Sequence, residues 1–520
     1  MDNQYDAIII GAGVGGLTCG NLLAKHGMKV VMLEQHFQPG GYCTSYKRGP
    51  YLFDVPCVMG GLRKGDPIER LLSYIGAYEK VEFLEINKLT RIIGPDMEIE
   101  WHGDTYKLEY EFIDKFPDDT AAIQRFFREV RAVWSEILDA HYKPNFFQMI
   151  TYPFTYPRLV KYTNYTFNQF LNKFFTNEKI KEYLGKEAVT LGLCKEEVSA
   201  LLYIGYIMGY ATGGIWYPKG GFQNLSNALA ECFKEHGGTL RLKTRVKKII
   251  IKNNTAIGVE LDNGETLYAR YVISNADTKR TYLDLIEPHQ LKQSFRSKVE
   301  QFEQSVSGFV VKLAVKMDLS EMSDYAWFFC CPEYGIVKKM LTLARENTID
   351  LDNCSFSIDT ASLIDKGTEG ISMINVTLIP VPYGYNNNWL SADKKEYQAL
   401  KEEVAQKLIL KAQQVIPGLK DKIVFMDIST PITYARYTSA TQGGWYDIAM
   451  TPAQSLMNRL GPDTSIKNLY STGAKSMPGA GLNAAIPAGL YTADMILKGA
   501  LTKGRCYLTS DLLKTIKKER

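Results

Sequence analysis

The chain has 520 residues, more than one hydrophobic core usually holds, so about two or three structural units are expected. Hydrophobic residues make up 45% of the sequence and charged residues 23%, a composition that is typical of globular proteins and excludes disordered and collagen-like chains. The net charge of +4 is small and dispersed, which argues against a nucleic-acid partner. None of the 9 cysteines belongs to a C-x-x-C pair or has a histidine at metal-ligand spacing, so no metal site is expected.

The first residues are polar and acidic and lead directly into an apolar strand, unlike a secretory signal. No uncharged run along the sequence is long enough to span a bilayer. These patterns predict a cytoplasmic protein that is not secreted and that could bind a membrane surface peripherally.

A dinucleotide-binding pattern lies at the N-terminus. An apolar strand runs into the glycine-rich turn at 11–16, a helix follows, and a second strand ends in Glu34. Gly11 makes the tight turn, Gly13 lets the backbone approach a pyrophosphate, and Gly16 lets the helix pack closely on the strand. The helix N-terminus attracts phosphates, and Glu34 stands where a carboxylate can accept hydrogen bonds from an adenosine ribose. The sequence therefore predicts a dinucleotide site.

A second glycine pair, Gly40 and Gly41, follows this acid, where another backbone loop can close over the cofactor. A short Phe-Asp strand at 53–54 comes next. With the turn at 11–16 and Glu34, these features resemble the phytoene desaturase, carotenoid isomerase and retinol saturase family of FAD-dependent oxidoreductases, part of the flavin amine oxidase superfamily. The resemblance implies that FAD is the cofactor.

A later block extends the resemblance. A Pro-Lys-Gly-Gly turn at 218–221 precedes a helix, several strands follow, and one of them ends in Ser-Asn-Ala-Asp at 274–277. In the family, a strand valine gives backbone hydrogen bonds to the adenine, and the resemblance transfers that role to Val246.

A third block is the glycine-rich loop at 473–486, between a strand and a helix. In the family, the N-terminus of this helix faces the pyrimidine edge of the flavin. Two positions depart from the family pattern. Met477 stands where many desaturases have histidine, and Pro487 interrupts an apolar run. These departures leave the substrate and the direction of the reaction open.

The motifs and the resemblance together predict a set of FAD-binding residues from separate stretches of the chain. They are Gly11, Ala12, Gly13, Gly15, Gly16, Glu34, Gln35, Gly40, Gly41, Val246, Gly473, Ala474, Gly481 and Leu482. No general acid or base and no catalytic dyad is apparent. Weak candidates for lining the site, chosen only from their place in loops expected beside the flavin, are Trp445, Tyr446, Met477 and Asn483.

The predicted fold is α/β: a discontinuous Rossmann-like FAD-binding domain with an inserted α+β substrate-binding domain. The FAD domain is assigned to 1–75, 215–285 and 440–500, and the substrate domain to 76–214 and 286–439, leaving a basic C-terminal tail at 501–520. A helix with apolar residues at helical spacing is expected over 118–138.

The segment 142–175 is rich in aromatic residues and interleaved with lysine and arginine. This combination suits a membrane interface, where rings lie at headgroup depth and cations meet phosphate. The alternative is an aromatic-rich substrate domain with solvated cations. The tail at 501–520, with Leu508, Leu512 and Leu513, is either a loose surface helix or a membrane-associating one.

The resemblance implies desaturation, saturation or cis-trans isomerisation of C–C and C=C bonds in a long apolar polyene or isoprenoid, carotenoid-like or retinoid-like. An alternative is an oxidase or reductase of the same fold acting on a smaller substrate such as an amine. Amine oxidases of the superfamily use a lysine that holds water near the flavin, but Lys475, the available residue, is expected to be exposed. A third alternative is a binding protein without flavin, like the Rab escort and GDP-dissociation inhibitor proteins.

The expected partners are a lipophilic small-molecule substrate and an external electron acceptor or donor, which could be a quinone, oxygen, a reductase or NAD(P)H. No second glycine motif with its own strand and acid is present, so a dedicated NAD(P)H domain is not expected. Peripheral membrane contact is a further expectation, and no nucleic acid is expected.

Overall fold

A computed structural model describes residues 4–365, 370–391, 393–503, 505 and 508. Two seven-stranded sheets form its framework, and helices pack around both.

Seven of the helices follow one another over 105–213, and helices are sparser after residue 240. They are α1 (Val14–Lys25), α2 (Pro67–Ile75), α3 (Thr105–Lys115), α4 (Thr120–Asp139), α5 (Phe146–Thr155), α6 (Pro157–Tyr162), α7 (Phe167–Leu171), α8 (Glu178–Gly185), α9 (Ala200–Gly213), α10 (Phe222–Glu235), α11 (Gln293–Gln301), α12 (Ile336–Arg345), α13 (Lys394–Ala412), α14 (Pro431–Thr438) and α15 (Leu482–Ile496).

The strands are β1 (Tyr5–Ile10), β2 (Val30–Leu33), β3 (Ser45–Arg48), β4 (Tyr51–Asp54), β5 (Met59–Gly60), β6 (Phe83–Ile86), β7 (Lys88–Ile93), β8 (Glu98–His102), β9 (Ile215–Pro218), β10 (Thr239–Arg241), β11 (Val246–Lys252), β12 (Thr255–Leu261), β13 (Thr266–Ser274), β14 (Ser307–Val315), β15 (Tyr325–Cys330), β16 (Phe356–Asp359), β17 (Ser372–Val381), β18 (Ile423–Ser429) and β19 (Leu469–Ser471).

The first sheet has the order β10-β2-β1-β13-β12-β11, and β19 pairs with β13 outside that path. Its strands β10, β2, β1, β13 and β19 run parallel, and β12 and β11 extend it antiparallel. β2 is buried throughout, as expected for a parallel strand covered on both faces. The strands come from 1–75, 215–285 and 440–500, so three distant parts of the chain build one Rossmann-like sheet. The predicted discontinuous α/β fold is confirmed.

The second sheet has the order β18-β14-β17-β16-β15-β7-β8. It is antiparallel except where β15 runs parallel to β7. β14 and β15 are buried at every position, which places them at the centre of the core. The strands of this sheet come from 76–214 and 286–439, while the exact domain boundaries remain a prediction.

The helical layer over the second sheet is held by aromatic packing. The predicted apolar stripe on 118–138 is present in α4, where Phe126 is 1% exposed. Its ring lies within 6.4 Å, centroid to centroid, of those of Phe167, Phe170 and Phe175. Burial of each such ring contributes roughly 1.5–3 kcal/mol to folding. These ring contacts therefore hold α7 against α4.

The aromatic segment 142–175 is divided by the fold into two parts. Its later rings, including Tyr162 and Phe170, are buried in the core. The phenylalanine rings of α5 point outwards, and Phe147 is 77% exposed, whereas Tyr152 of the same helix is half-buried. The later half of the segment therefore belongs to the core, and membrane contact by the exposed half remains a prediction.

No helix within the described part of the chain is long and apolar enough to cross a membrane. The predicted basic tail at 501–520, with Leu512 and Leu513, lies mostly outside the described residues.

Candidate active site

One continuous cavity of about 1390 Å³ is lined by residues of both sheets and by α4, α5, α6, α9 and α15. At one end it meets the glycine-rich turn after β1, and at the other it is walled by aromatic side chains. The site is therefore built where the two structural units meet, as is usual for ligand pockets.

The glycine turn after β1 lines part of the cavity. Gly11 has a φ of +93°, in the left-handed region that favours glycine. A Cβ on Gly15 would lie 2.5 Å from the Cα of Gly473, and one on Gly16 would lie 2.4 Å from the Gly11 carbonyl oxygen. Backbone meets backbone at these positions, so no side chain fits.

The carboxylate of Glu34 is held in place at the end of β2. Its Oε2 accepts a hydrogen bond of 2.7 Å from the Ala12 N–H, and its Oε1 accepts one of 2.9 Å from the His36 N–H. Each carboxylate oxygen has a second lone pair. Glu34 lines the cavity, so it can still accept hydrogen bonds from a ligand there.

The second glycine pair lies against the first turn. The Gly40 N–H donates to the Ala12 carbonyl oxygen at 2.8 Å, and both Gly40 and Gly41 have left-handed φ values, +124° and +61°. Beside them, the Gln35 amide donates to the Ser439 hydroxyl at 2.9 Å. This bond joins the end of β2 to the loop after α14, which closes this part of the cleft.

Asn275, which follows β13, is a site residue to which the sequence analysis gave no role. Its N–H donates to the Ile10 carbonyl at 2.8 Å, and its Nδ2 donates to the Gly11 carbonyl at 3.3 Å. A Cβ on Gly473 would lie 2.0 Å from its Oδ1. A polar residue at the carboxyl end of a parallel strand was the available signal, because ligands bind at that edge of such sheets.

The N-terminus of α15 also reaches the cavity. Gly481 precedes it with a φ of +88°, and Leu482 lines the cavity. A Cβ on Gly489 would lie 2.5 Å from the Gly15 carbonyl oxygen, so α15 crosses α1 at close range. Two helix N-termini, each with free N–H groups and partial positive charge, therefore point at one cavity.

These residues fit FAD. The side-chain-free turn and the start of α1 would hold the pyrophosphate, Glu34 the ribose, and the start of α15 the flavin ring. Most of the predicted FAD-binding residues line the cavity, namely Gly11, Gly13, Gly15, Glu34, Gln35, Gly40, Gly41, Val246, Gly473, Ala474, Gly481 and Leu482. Ala12 and Gly16 stand behind this wall, where Ala12 orients Glu34 and Gly16 seats α1 on β1.

The four weak candidates all line the cavity. Trp445 packs edge-on against Tyr434 with ring centroids 5.4 Å apart. The Tyr446 hydroxyl donates to the Thr190 carbonyl at 2.5 Å, and the Asn483 Oδ1 accepts from the Gly60 N–H at 3.0 Å. Met477 is 9% exposed. Their roles in the reaction remain predictions.

The expectation that Lys475 is exposed is wrong. Lys475 is 1% exposed, and its Nζ donates to the hydroxyls of Ser274 at 2.8 Å and Thr281 at 2.7 Å. The loop after β19 turns this side chain into the interior, away from the cavity wall. Burial lowers the pKa of the Lys475 amine, and the carboxylates of Asp447 and Asp277 oppose this effect.

Arg459 is a second buried cation that the sequence analysis missed. Its guanidinium donates to the carbonyls of Ala474, Tyr446, Ile448 and Gln454. One side chain therefore ties the loop after β19 to the segment that carries Tyr446. Its four partners lie within 15 residues along the chain, but they are backbone carbonyls of irregular loops, which no sequence pattern marks.

Replacing Gly15 with alanine is expected to lower FAD retention at least about tenfold, because the new Cβ would collide with the Gly473 backbone. Flavin absorbance per mole of purified protein is the measurement. Gly205→Ala is the matched control, since a Cβ there would meet nothing closer than 3.9 Å. Equal flavin content in the two variants would contradict this account of the turn.

Replacing Lys475 with methionine is expected to weaken the pH dependence of stability. At pH values between the lowered pKa of Lys475 and the ordinary value of 10.5, this amine is protonated in the unfolded chain and neutral in the folded protein. The free energy of unfolding therefore rises with pH across that interval, by at most about 1.4 kcal/mol per pH unit. Urea unfolding at about pH 7 and about pH 10 measures the rise. The full rise should persist in Lys467→Met, at an exposed lysine, and should be smaller in Lys475→Met, where the buried Lys312 still contributes part of it. An equal rise in the two variants would refute the assignment.

Comparison with known proteins agrees with the geometry. Residues 14–497 match the family described as flavin containing amine oxidoreductase. The chain is 25% identical over 510 residues to the chloroplastic prolycopene isomerase of Daucus carota, covering 95% of this chain and 80% of that protein. It is 26% identical over 531 residues to the all-trans-retinol 13,14-reductase of Danio rerio, covering 96% and 86%.

The fold is shared with a solved structure of putrescine oxidase, with a TM-score of 0.62 at 13% identity, covering 95% of this chain and 99% of that one. The family match spans nearly the whole chain, and the complete glycine turn and the fixed carboxylate agree with it. The chain belongs to the flavin-containing amine oxidoreductase family and is an FAD-dependent oxidoreductase.

Proposed function

We propose that this enzyme acts on C–C or C=C bonds of a long apolar polyene or isoprenoid, by desaturation, saturation or cis-trans isomerisation. The observation that carries the proposal is the chamber that continues from the cofactor cleft inside the same cavity. Its walls are largely aromatic, formed by Trp134, Tyr142, Tyr152, Tyr206, Tyr210, Trp327, Trp445, Tyr446 and Tyr491. Rings of this kind give a rigid apolar lining for an extended chain of conjugated or isolated double bonds.

The names of the relatives support this substrate class. A prolycopene isomerase and a retinol reductase act on double bonds of carotenoid-like and retinoid-like chains, and both align with almost the whole of this protein. The two departures at Met477 and Pro487 lie beside the cofactor cleft, so the direction of the reaction is left to experiment.

When bound, FAD supplies the hydride or electron transfer. The protein residues place a substrate against it and keep water out. α9 presents Tyr206 and Tyr210 to the chamber, and the strand β15 presents Trp327. Lys475, the lysine considered for the amine-oxidase alternative, points into the core of the FAD-binding sheet and away from the chamber. A small amine is therefore the weaker alternative.

An external electron acceptor or donor completes the proposed reaction. It could be a quinone, oxygen, a separate reductase or NAD(P)H, since one dinucleotide cleft is already assigned to FAD. A quinone is itself lipophilic and would reach the protein from the same phase as the substrate.

We also propose that the protein binds peripherally to a cytoplasmic membrane surface through α5 and α6. An exposed apolar surface there, called the aromatic patch, consists of Phe146, Phe147, Met149, Ile150, Phe154 and Val160. Phe154 is 86% exposed, which is unusual for a ring on a protein surrounded only by water. Val160 also lines the cavity, so the patch borders the chamber wall.

The charges around the aromatic patch suit a lipid surface. α5 carries no charged residue along its length, and the exposed cations Lys143 and Lys161 flank it on either side. Rings at headgroup depth and lysines at phosphate level match the two layers of a membrane interface. Substrate could then pass from lipid into the chamber without crossing water.

The substrate class is tested by anaerobic incubation of the FAD-loaded protein with liposomes that contain phytoene, lycopene isomers or retinol, followed by chromatography. Oxidised and pre-reduced protein are compared. New conjugation with oxidised flavin indicates a desaturase. Conversion that needs reduced flavin indicates a saturase or an isomerase, which differ in product mass. No conversion in either state, with peroxide formed from amines instead, would favour the small-substrate alternative.

Membrane binding is tested by flotation of the holoprotein with phosphatidylcholine vesicles, with and without phosphatidylglycerol. The double variant Phe147→Ser/Phe154→Ser should lose at least about tenfold in binding, because each ring contributes roughly 1.5–3 kcal/mol when buried in lipid. Tyr106→Ser/Tyr110→Ser is the control, since these rings on α3 are 68% and 70% exposed but lie outside the patch. Absence of flotation, or equal loss in both doubles, would contradict the proposal.

A further inference from the structure

A row of charged and amide side chains crosses the floor of the chamber. It consists of one residue from each of four adjacent strands of the second sheet, and we call it the polar row: Asp427 of β18, Lys312 of β14, Asn375 of β17 and Asp359 of β16. The strand register sets each member directly beside the next. Trp327 of β15 follows Asp359 in the same register and ends the row.

The polar row faces the cavity. Asp359, Asn375 and Asp427 all line it, and none of the three is fully buried. Lys312 has the same orientation as Val310, another lining residue, because side chains two apart on a strand share a face. The residues thus lie in the substrate chamber and not on the outer face of the sheet.

Asp359 is the member of the row next to Trp327 of the aromatic wall. Its Oδ2 accepts from the Thr377 hydroxyl at 2.8 Å and its Oδ1 from the Ser357 hydroxyl at 3.0 Å. Burial raises the pKa of the Asp359 carboxyl, although these hydroxyls and Lys312 oppose the rise. The Asn375 side chain also hydrogen-bonds to this carboxylate. All these donors come from the floor itself, so lone pairs of Asp359 and the second amide hydrogen of Asn375 remain for a ligand above it.

A lysine amine and a tyrosine hydroxyl lie beside the two carboxylates of the row. The Lys312 ammonium donates to the Asp54 carbonyl oxygen, and burial lowers its pKa to about 8. The Tyr46 hydroxyl donates to the Asp427 Oδ2 at 2.8 Å, and Lys312 lies over the Tyr46 ring. The row therefore offers both acceptors and donors within one short stretch.

A pure hydrocarbon gives these groups nothing to bind. Covering a buried carboxylate and amide with an alkyl end would remove their water without replacing its hydrogen bonds, at a cost of about 1–3 kcal/mol for each group. A carboxylate end would be repelled by Asp359 and Asp427. An ammonium end only donates hydrogen bonds, so it would leave the Asn375 amide without an acceptor. A hydroxyl both donates and accepts and carries no charge, so it matches the mixed row.

We propose that the polar row binds a hydroxyl group at one end of the substrate, so that the enzyme prefers an oxygenated isoprenoid or polyene over the corresponding hydrocarbon. The hydroxyl would donate to Asp359 and accept from the Asn375 amide. This inference rests on the proposed function and narrows its substrate class. It assigns to Asp359 and Asn375 the role of selecting the substrate and fixing its direction in the chamber.

The test uses matched pairs of probes with the holoprotein in detergent micelles. One pair is all-trans-retinol and the hydrocarbon that has a methyl in place of its hydroxymethyl group, and the other is zeaxanthin and β-carotene. Binding is followed by the change in flavin absorbance. The wild type should bind each alcohol about tenfold or more tightly than its hydrocarbon.

In the Asp359→Leu variant, the ratio of the two affinities should fall close to one. This variant should still bind the hydrocarbon at least as tightly as the wild type does, whereas damage to the fold would weaken binding of both probes. Asp359→Asn, which keeps an acceptor, should retain part of the preference. Flavin content and thermal unfolding of both variants control for folding.

An equal affinity of the wild type for both members of each pair would overturn the inference and leave the proposed function standing. A preference that survives in Asp359→Leu would equally overturn it. If the wild type binds no member of either pair, the proposed function and this inference both fail.

Discussion

The structure depends on a place where three backbone segments meet with no side chain between them. At Gly15 the first turn of α1 contacts Gly473, which follows β19, and the crossing helix α15 approaches through Gly489. Asn275 fills the remaining gap by hydrogen bonding to Gly11. Because of this contact, the two helix N-termini point into one cleft, and their dipoles act on the same ligand. The contact also joins an N-terminal segment of the chain to a C-terminal one, so the cofactor cleft forms only when both segments are folded together.

The rest of the molecule arranges an apolar chamber against that cleft. The second sheet supplies the floor, α9 one wall, and α4 to α6 another wall that continues into the exposed aromatic patch. This arrangement combines opposite requirements. A flavin needs fixed polar groups, whereas a polyene needs a dry apolar lining. The polar row on the floor adds charged and amide groups to this lining, and polar groups facing a cavity are most simply understood as partners of a ligand.

Local patterns were strong enough to predict the cofactor side. The order of strand, glycines, helix and acid is a short-range signal with a mechanical cause, so Gly11, Gly13 and Glu34 could be assigned from the sequence. The stripe of apolar residues in α4 could also be predicted from the sequence, because helical periodicity is a local pattern. By contrast, Lys475 was assigned to the surface from its loop sequence alone. Its burial depends on Ser274 and Thr281, about two hundred residues away, which no local pattern reveals.

The sequence by itself determined the cofactor, the family resemblance and the discontinuous α/β plan, because each rests on motifs whose physical role is complete within a few residues. The tertiary structure decided what depends on distant pairing. It divided the aromatic segment at 142–175 into core rings and exposed rings, since only packing settles which face of a helix is covered. It also aligned Asp427, Lys312, Asn375 and Asp359, because strand register, and not spacing along the chain, sets which residues are neighbours in a sheet.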